Sequence, residues 1–345
     1  MEEIIYPASK QKFKVLVRCF TYNQSQYIED ALNGFAMQQT NFPFVCLVMD
    51  DCSTDGEQEV IKAYLDRECD MKRAEYFEDD TTTMTLVPHR TNVNCTFAVY
   101  LLKKNLYRVE EAKMVYVNPW REHCEYEALC EGDDYWTDPY KLQKQMDFLE
   151  NHEAYAMCVN ATKWQYSDGA ITRGRGCQYI TDSDISTDEI IRNGGLFLNT
   201  ASYMYRASRI RKDEYAWWKM ADVGDYPLCI AASLIGKVRF LSDEMSVYRF
   251  QIPGSWTGNQ KGTVDLKHLQ NEMTWLKCLD EETNGKYREA IYTHLFPGMI
   301  RGLYKYGCYD TAGYFKAYRY ADVNISKVRI MKDVIIHFFP FLKHR

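Results

Sequence analysis

Apolar residues follow two rhythms along the first 150 positions. Lys14 to Phe20 is a short, β-branched run closed by Thr21-Tyr22-Asn23, the pattern of a buried strand ending in a polar turn. From Ser25 to Gln38, Tyr27, Ile28, Ala31, Leu32, Phe35 and Ala36 recur at helical spacing. Phe44 to Met49 predicts the next strand, closed by Asp50-Asp51-Cys52-Ser53-Thr54-Asp55-Gly56, and Glu57 to Glu68 returns to helical periodicity. Met84 to Val87 reads as a third strand, Phe97 to Leu106 as a third helix, and Tyr126 to Cys130 as a fourth strand running into Glu131-Gly132-Asp133-Asp134-Tyr135-Trp136. Such alternation predicts an α/β fold, a mostly parallel sheet with helices on both faces, because parallel strands need right-handed crossovers.

The rhythm loosens past residue 155. Ala156 to Asn160, Leu196 to Tyr205, Lys237 to Leu241 and Ser246 to Phe250 read as strands of a mixed second half, and the sequence beyond Gly262 reads as helical. The chain of 345 residues carries 42 basic and 48 acidic side chains, a formal charge of −6. With no long Lys/Arg cluster it lacks the electrostatic footprint for gripping nucleic acid. Twelve cysteines are scattered without a CxxC pair, which predicts reduced, mostly buried thiols. The acidic N-terminus lacks the layout of a signal peptide, and no apolar run approaches the roughly 20 residues of a bilayer span. These features together predict a cytoplasmic protein.

Chemistry concentrates in acidic turns at predicted strand ends, where the ligands of open α/β sheets gather. Asp50/Asp51, Asp133/Asp134, and Asp225 within Gly224-Asp225-Tyr226-Pro227-Leu228 are the carboxylates concerned. Adjacent carboxylates repel unless a positive charge lies between them and their ligand, and a hard divalent cation shared with substrate phosphates is the economical solution. The plainer alternative for each is solvated turn chemistry, and for Asp225 an N-cap of the helix Tyr226 to Ile235.

Thr21-Tyr22-Asn23, Val48 to Gly56 and Cys130 to Trp136, in that order, resemble the motifs of a family 2 glycosyltransferase with the GT-A fold, over approximately residues 12 to 256. The resemblance implies a nucleotide-sugar domain at 12–258, with a donor half at 12–150 and an acceptor half at 151–258, followed by a C-terminal helical region at 259–345. It implies that the Thr21 turn and Asp51 hold the nucleoside of a UDP-sugar, Tyr22 by stacking and Asp51 by a hydrogen bond to the base. Asp133 would lie near the ribose, as the first Asp of a DXD-like signature, and Asp134 would ligate a divalent metal, Mn or Mg. Asp225 matches the position of the general base of an inverting transfer to a glycan or lipid-linked acceptor, as in bacterial cell-surface polysaccharide synthesis. Arg90 is a candidate for the diphosphate. Two departures stand out. Tyr248-Arg249-Phe250 is followed by Gln251 where relatives often carry a metal-reaching His, and the segment between Arg90 and Asp133 is long, which predicts an insertion near the donor.

The tail from Ile325 to Arg345 places Lys327, Arg329, Lys332, Lys343 and Arg345 beside an apolar face of Val328, Met331, Ile335, Phe338 and Leu342. Docking on the core or on a second copy in a homo-oligomer is the favoured reading, with peripheral contact at the inner membrane face as the alternative. Competing functions are a non-catalytic nucleotide-sugar binder and, less in keeping with a first turn that has neither Gly nor Lys, a nucleotidyltransferase.

Overall fold

The computed structural model describes residues 12–107, 110–174, 179–253, 255–259 and 266–295. These residues group into two compact units, one of the described residues within 12–187, 195–211 and 228–259, the other of those within 188–194, 212–227 and 266–295. The tail at 325–345 lies outside the described residues.

The first unit is built on one twelve-stranded sheet. Its parallel centre is β1 (Val15–Thr21), β2 (Phe44–Asp50), β5 (Cys95–Leu102) and β6 (Tyr126–Leu129), in the spatial order β6, β1, β2, β5. An antiparallel meander of β3 (Glu75–Glu78) and β4 (Thr82–Pro88) closes one side. On the other lie β7 (Tyr135–Trp136), β8 (Tyr155–Tyr166), β9 (Ile171–Arg173), β10 (Ser183–Ile185), β11 (Met204–Arg206) and β12 (Lys237–Phe250), where β8 and β12 run parallel. The expected α/β architecture with a mixed second half on the same sheet is present.

Both faces of the centre are buried, which explains its unbroken apolar runs. Val15, Val17, Cys19, Phe44, Cys46 and Val48 pack on one face with Ile28, Leu32, Phe35, Ile61 and Leu65 from helices α1 (Ile28–Ala36) and α2 (Glu57–Glu68). Leu16, Val45, Leu47, Met49 and Tyr100 pack on the other with Val117 and Trp120 from α3 (Glu110–His123). Helix α4 (Lys141–Asn151) contributes Leu142, Met146 and Leu149 to the first face.

Three local expectations are corrected. Phe97 to Leu106 is not a helix: Cys95 to Leu102 is strand β5, buried at every position, and its alternate residues fill opposite faces. A strand buried on both sides has no polar beat, so Phe97, Tyr100 and Leu101 imitate helical spacing. Lys237 to Leu241 and Ser246 to Phe250 are one irregular strand, with register shifts against β8 between them. Of Leu196 to Tyr205, only Met204 and Tyr205 belong to a strand, after a single helical turn at Thr200–Ser202.

The second unit contains α5 (Thr187–Asn193) from Asp188 onward and α6 (Ala216–Met220). It also holds the first three residues of α7 (Asp225–Ile235) and, beyond a single turn α8 (Trp256–Asn259) of the first unit, the long α9 (Leu266–Glu282), with helical residues at 288–295. Its core joins Trp217 to Trp275, stacked with centroids 6.0 Å apart, and Tyr226 edge-on to Trp275 at 5.3 Å.

Candidate active site: the Thr21 turn and two acidic turns on one rim

Strand register decides where the turns fall. Thr21 lies opposite Asp50, so β1 and β2 end flush, and β6 pairs with β1 up to Arg18↔Leu129. The chain after β6 therefore runs on beside the end of β1, and Gly132 N–H donates to Phe20 O at 3.1 Å. A Cβ on Gly132 would stand 2.2 Å from Thr21 Oγ1 and 2.5 Å from Gln24 Oε1, so only glycine lets the third turn press against the first. The structure brings Thr21, Tyr22, Asp51, Asp133 and Asp134 to this one rim.

The first two turns are interlocked. Asn23 N–H donates to Ser53 Oγ (2.9 Å), Thr54 N–H to Asn23 Oδ1 (2.8 Å) and Ser25 N–H to Asp55 Oδ2 (2.9 Å). Asn23 and Cys52 hold left-handed backbone, φ 54° and 63°, which lets the chain reverse within each turn. Beneath them lies fully buried Glu57, which accepts from Gln24 N–H (2.8 Å) and Ser53 Oγ (2.9 Å), while the Thr21 hydroxyl lies between Glu57 and Gln24. Burial raises the Glu57 carboxyl above its usual range even though these donors pull it down. Thr21 is thus occupied in bracing the turn. Tyr22, 44% exposed, presents an aromatic surface at the rim.

Asp51 is buried and already engaged. Its Oδ1 accepts from Leu106 N–H at 2.6 Å, its Oδ2 pairs with Lys113 Nζ at 2.6 Å, and its carbonyl accepts from Asn105 Nδ2 at 2.8 Å. The long segment before Asp133 thus reaches Asp51 through Asn105, Leu106 and helix α3.

Asp134 is fully buried beside a partner the sequence reading missed. Arg249 N–H donates to Asp134 Oδ1 at 2.9 Å, and its guanidinium donates to Asp133 O at 2.8 Å and pairs with Asp30, lying over the Tyr27 and Tyr135 rings at 4.8 and 4.5 Å. Asp134 Oδ2 is buried with no hydrogen-bond donor. Burial, then the charges of Asp133 and Glu131, hold the Asp134 carboxyl well above its usual range, and burial also raises Asp133. Burial and next Asp134 hold the Tyr248 phenol high as well. An unpaired buried oxygen among like charges fits a hard cation. Among the described residues no group of three or more His, Cys, Asp or Glu forms a ready cage, so such an ion would complete its shell with substrate phosphates and water. Gln251 stands at φ 56° with its N–H on Thr257 Oγ1 (3.1 Å).

Arg90 is not at the rim. It donates to the carbonyls of Arg67 (2.6 Å), Cys69 (3.0 Å) and Asp66 (3.1 Å), closing the C-terminus of α2. Its neighbour His89 bonds to Cys95 at the start of β5, so Arg90 sits at the opposite end of the parallel strands from Asp50. A cation serves a helix C-terminus well, which accounts for this side chain without a ligand. Trp136 is core, with Nε1 donating to Ala201 O at 2.8 Å. In the second unit Asp225 opens α7, and its Oδ1 accepts from Tyr226 N–H at 2.8 Å.

An open α/β sheet with acidic turns gathered past the carboxyl ends of its central strands is the GT-A architecture. Residues 19–81 match the model of glycosyl transferase family 2. The chain is 30% identical over 239 residues to the uncharacterized proteins Mb1547 of Mycobacterium bovis and Rv1520 of Mycobacterium tuberculosis, matching 68% of this chain and 58% of each relative. The chain thus spans less than two thirds of the curated relatives it matches. Among solved structures it shares its fold with Staphylococcus aureus TarS 1-349. The complex of that fragment with UDP-GlcNAc aligns with a TM-score of 0.57 and 16% identity over 88% of this chain and 79% of that one. The complex with UDP gives 0.52 and 17% over 82% and 70%. Among the described residues no helix is long and apolar enough to cross a membrane.

Proposed function

We propose that this chain transfers a sugar from a nucleotide-sugar donor, a UDP-sugar, to a hydroxyl of a glycan or lipid-linked acceptor with inversion at the anomeric carbon. The observation that carries this reading is the unpaired, buried Asp134 Oδ2 on the rim that also holds Tyr22 and Asp51. The crystallisation of the TarS fragment with UDP and UDP-GlcNAc supports uridine as the nucleoside.

In this reading Tyr22 stacks on the base, and the Asp51–Lys113 pair meets its polar edge, the carboxylate accepting from N–H and the ammonium donating to a carbonyl. Asp133 faces the ribose. Asp134 would hold a divalent ion, Mn or Mg, through its free oxygen, which would supply positive charge against the diphosphate. Asp225 takes the acceptor hydroxyl proton as the acceptor oxygen bonds to the anomeric carbon. The bond from that carbon to the diphosphate oxygen breaks, and the electron pair leaves with the nucleoside diphosphate.

Release of UDP from a panel of UDP-sugars, with and without Mn, tests the transfer. A general base contributes about 10²–10⁴-fold, so Asp225→Asn is expected to lower turnover by that order with unchanged UDP affinity. Binding without turnover in the wild-type chain would favour the non-catalytic binder instead, and loss of UDP binding in the variant would remove Asp225 from the role of base.

A further inference from the structure

We infer that Asn271 on helix α9, assisted by His268 one turn earlier, is the positioning residue that fixes the loop carrying Asp225. The inference rests on Asp225 being the base and gives the C-terminal helices a function in the reaction.

Asn271 bridges the backbone on both sides of Ala221. Its Nδ2 donates to Met220 O at 2.7 Å, and its Oδ1 accepts from Asp222 N–H at 3.0 Å. One amide thereby satisfies the carbonyl that ends α6 and the amide that starts the loop. His268, three residues before Asn271 and on the same face of α9, donates from Nδ1 to both oxygens of Asp222 at 3.0 and 3.1 Å. Trp275, four residues after Asn271, continues that face and meets the ring of Tyr226 edge-on. Tyr226 is buried, its hydroxyl donates to Ile191 O at 2.8 Å, and its ring also packs on His294 at 5.5 Å. The chain is gripped at Met220 to Asp222 and again at Tyr226, and only Val223, Gly224 and Asp225 lie between. So short a span between two anchors on one helix limits where the Asp225 carboxylate can travel. A base misplaced by about 1 Å can cost up to 10²-fold in rate, which makes α9 a determinant of turnover.

The test uses the full chain and the UDP-release assay with whichever UDP-sugar it turns over. Asn271→Ala is expected to lower kcat about 10- to 100-fold with donor KM and UDP affinity unchanged. His268→Gln, which keeps a donor for Asp222, should stay near wild type where His268→Ala does not. In the Asp225→Asn background, Asn271→Ala should cost nothing further, because it acts through the group already removed. A wild-type kcat in Asn271→Ala, or the same proportional loss in both backgrounds, overturns the positioning role while leaving the base intact. Wild-type turnover in Asp225→Asn alone overturns the base reading and the inference with it.

Discussion

Asp51 is the residue one would mutate to test nucleoside recognition, yet its pairing with Lys113 means that a single substitution changes two things. The pair spans 2.6 Å, with side chains only 3% and 14% exposed, and the Lys113 ammonium also lies 5.6 Å from the centre of the Phe20 ring. Removing one member of a buried pair leaves the other charge desolvated and costs about 3–5 kcal/mol, whereas replacing both is often close to neutral. Asp51→Ala and Lys113→Met should therefore each destabilise the chain by roughly 3 kcal/mol, and the double variant should recover most of that. Their coupling, the two single losses less that of the double variant, is then expected to be about 4–5 kcal/mol. Urea denaturation of the four proteins at neutral pH gives this cycle directly. UDP affinity is then compared between wild type and the restabilised double variant, where loss of a charged hydrogen bond of about 1.5–3 kcal/mol weakens binding roughly 10- to 150-fold. Additive losses below about 0.5 kcal/mol would mean a solvated pair, and unchanged UDP affinity in the double variant would remove Asp51 from the base site.

Two further outcomes follow from buried groups. Asp134→Asn keeps the oxygen that accepts from Arg249 N–H and removes the charge, so Mn and UDP together should no longer raise its melting temperature. In the wild type, UDP at 100 times its Kd in the presence of Mn should stabilise by about 2.7 kcal/mol, and equal stabilisation of both proteins would exclude Asp134 as the ligand. Lys141, fully buried with Nζ on Gln145 Oε1 (2.7 Å) and 4.3 Å from the Trp136 ring centre, is pushed down to about 7 from 10.5, chiefly by burial. The unfolded chain then binds more protons than the folded one between those values, so the penalty is complete below pH 7 and relieved as pH rises. Wild-type stability measured against Lys141→Met should climb by up to about 1.4 kcal/mol per pH unit in that window, and a flat difference would show an ordinary lysine.

The fold and the rim were legible in the sequence to different depths. Strands β1, β2 and β6 announce themselves because each apolar run stops at a polar turn, Asp-rich after β2 and β6, and parallel register then brings those ends together. β5 was misread because full burial erases the alternation on which strand recognition depends. Arg90 was assigned to the diphosphate by charge alone, and charge says nothing about which end of a strand it lies beside. Its carbonyl partners at Asp66, Arg67 and Cys69 belong to the far end of α2.

The sequence also carries a subtler signal: charges standing at apolar positions of a periodic pattern. Glu57 shares the buried face of α2 with Ile61, Tyr64 and Leu65. Lys113 precedes Val117, Trp120 and Cys124 on the inward stripe of α3, and Arg249 falls in alternation with Met245 and Val247 on β12. Burying such a group without a partner costs several kcal/mol, so each break in the pattern predicts a polar partner elsewhere in the chain. All three partners are at the rim: Glu57 under the Thr21 turn, Lys113 on Asp51, and Arg249 on Asp133 and Asp134. Each of these three turns has one such brace, supplied by a helix or strand outside the turn motifs. Carboxylates that only solvated a loop would need none, because water would serve them. The embedded braces hold Asp51 and Asp134 in place where water is excluded, and among the described residues of the rim the buried carboxylate oxygens left without a donor are Asp134 Oδ2 and Asp50 Oδ2 at the end of β2.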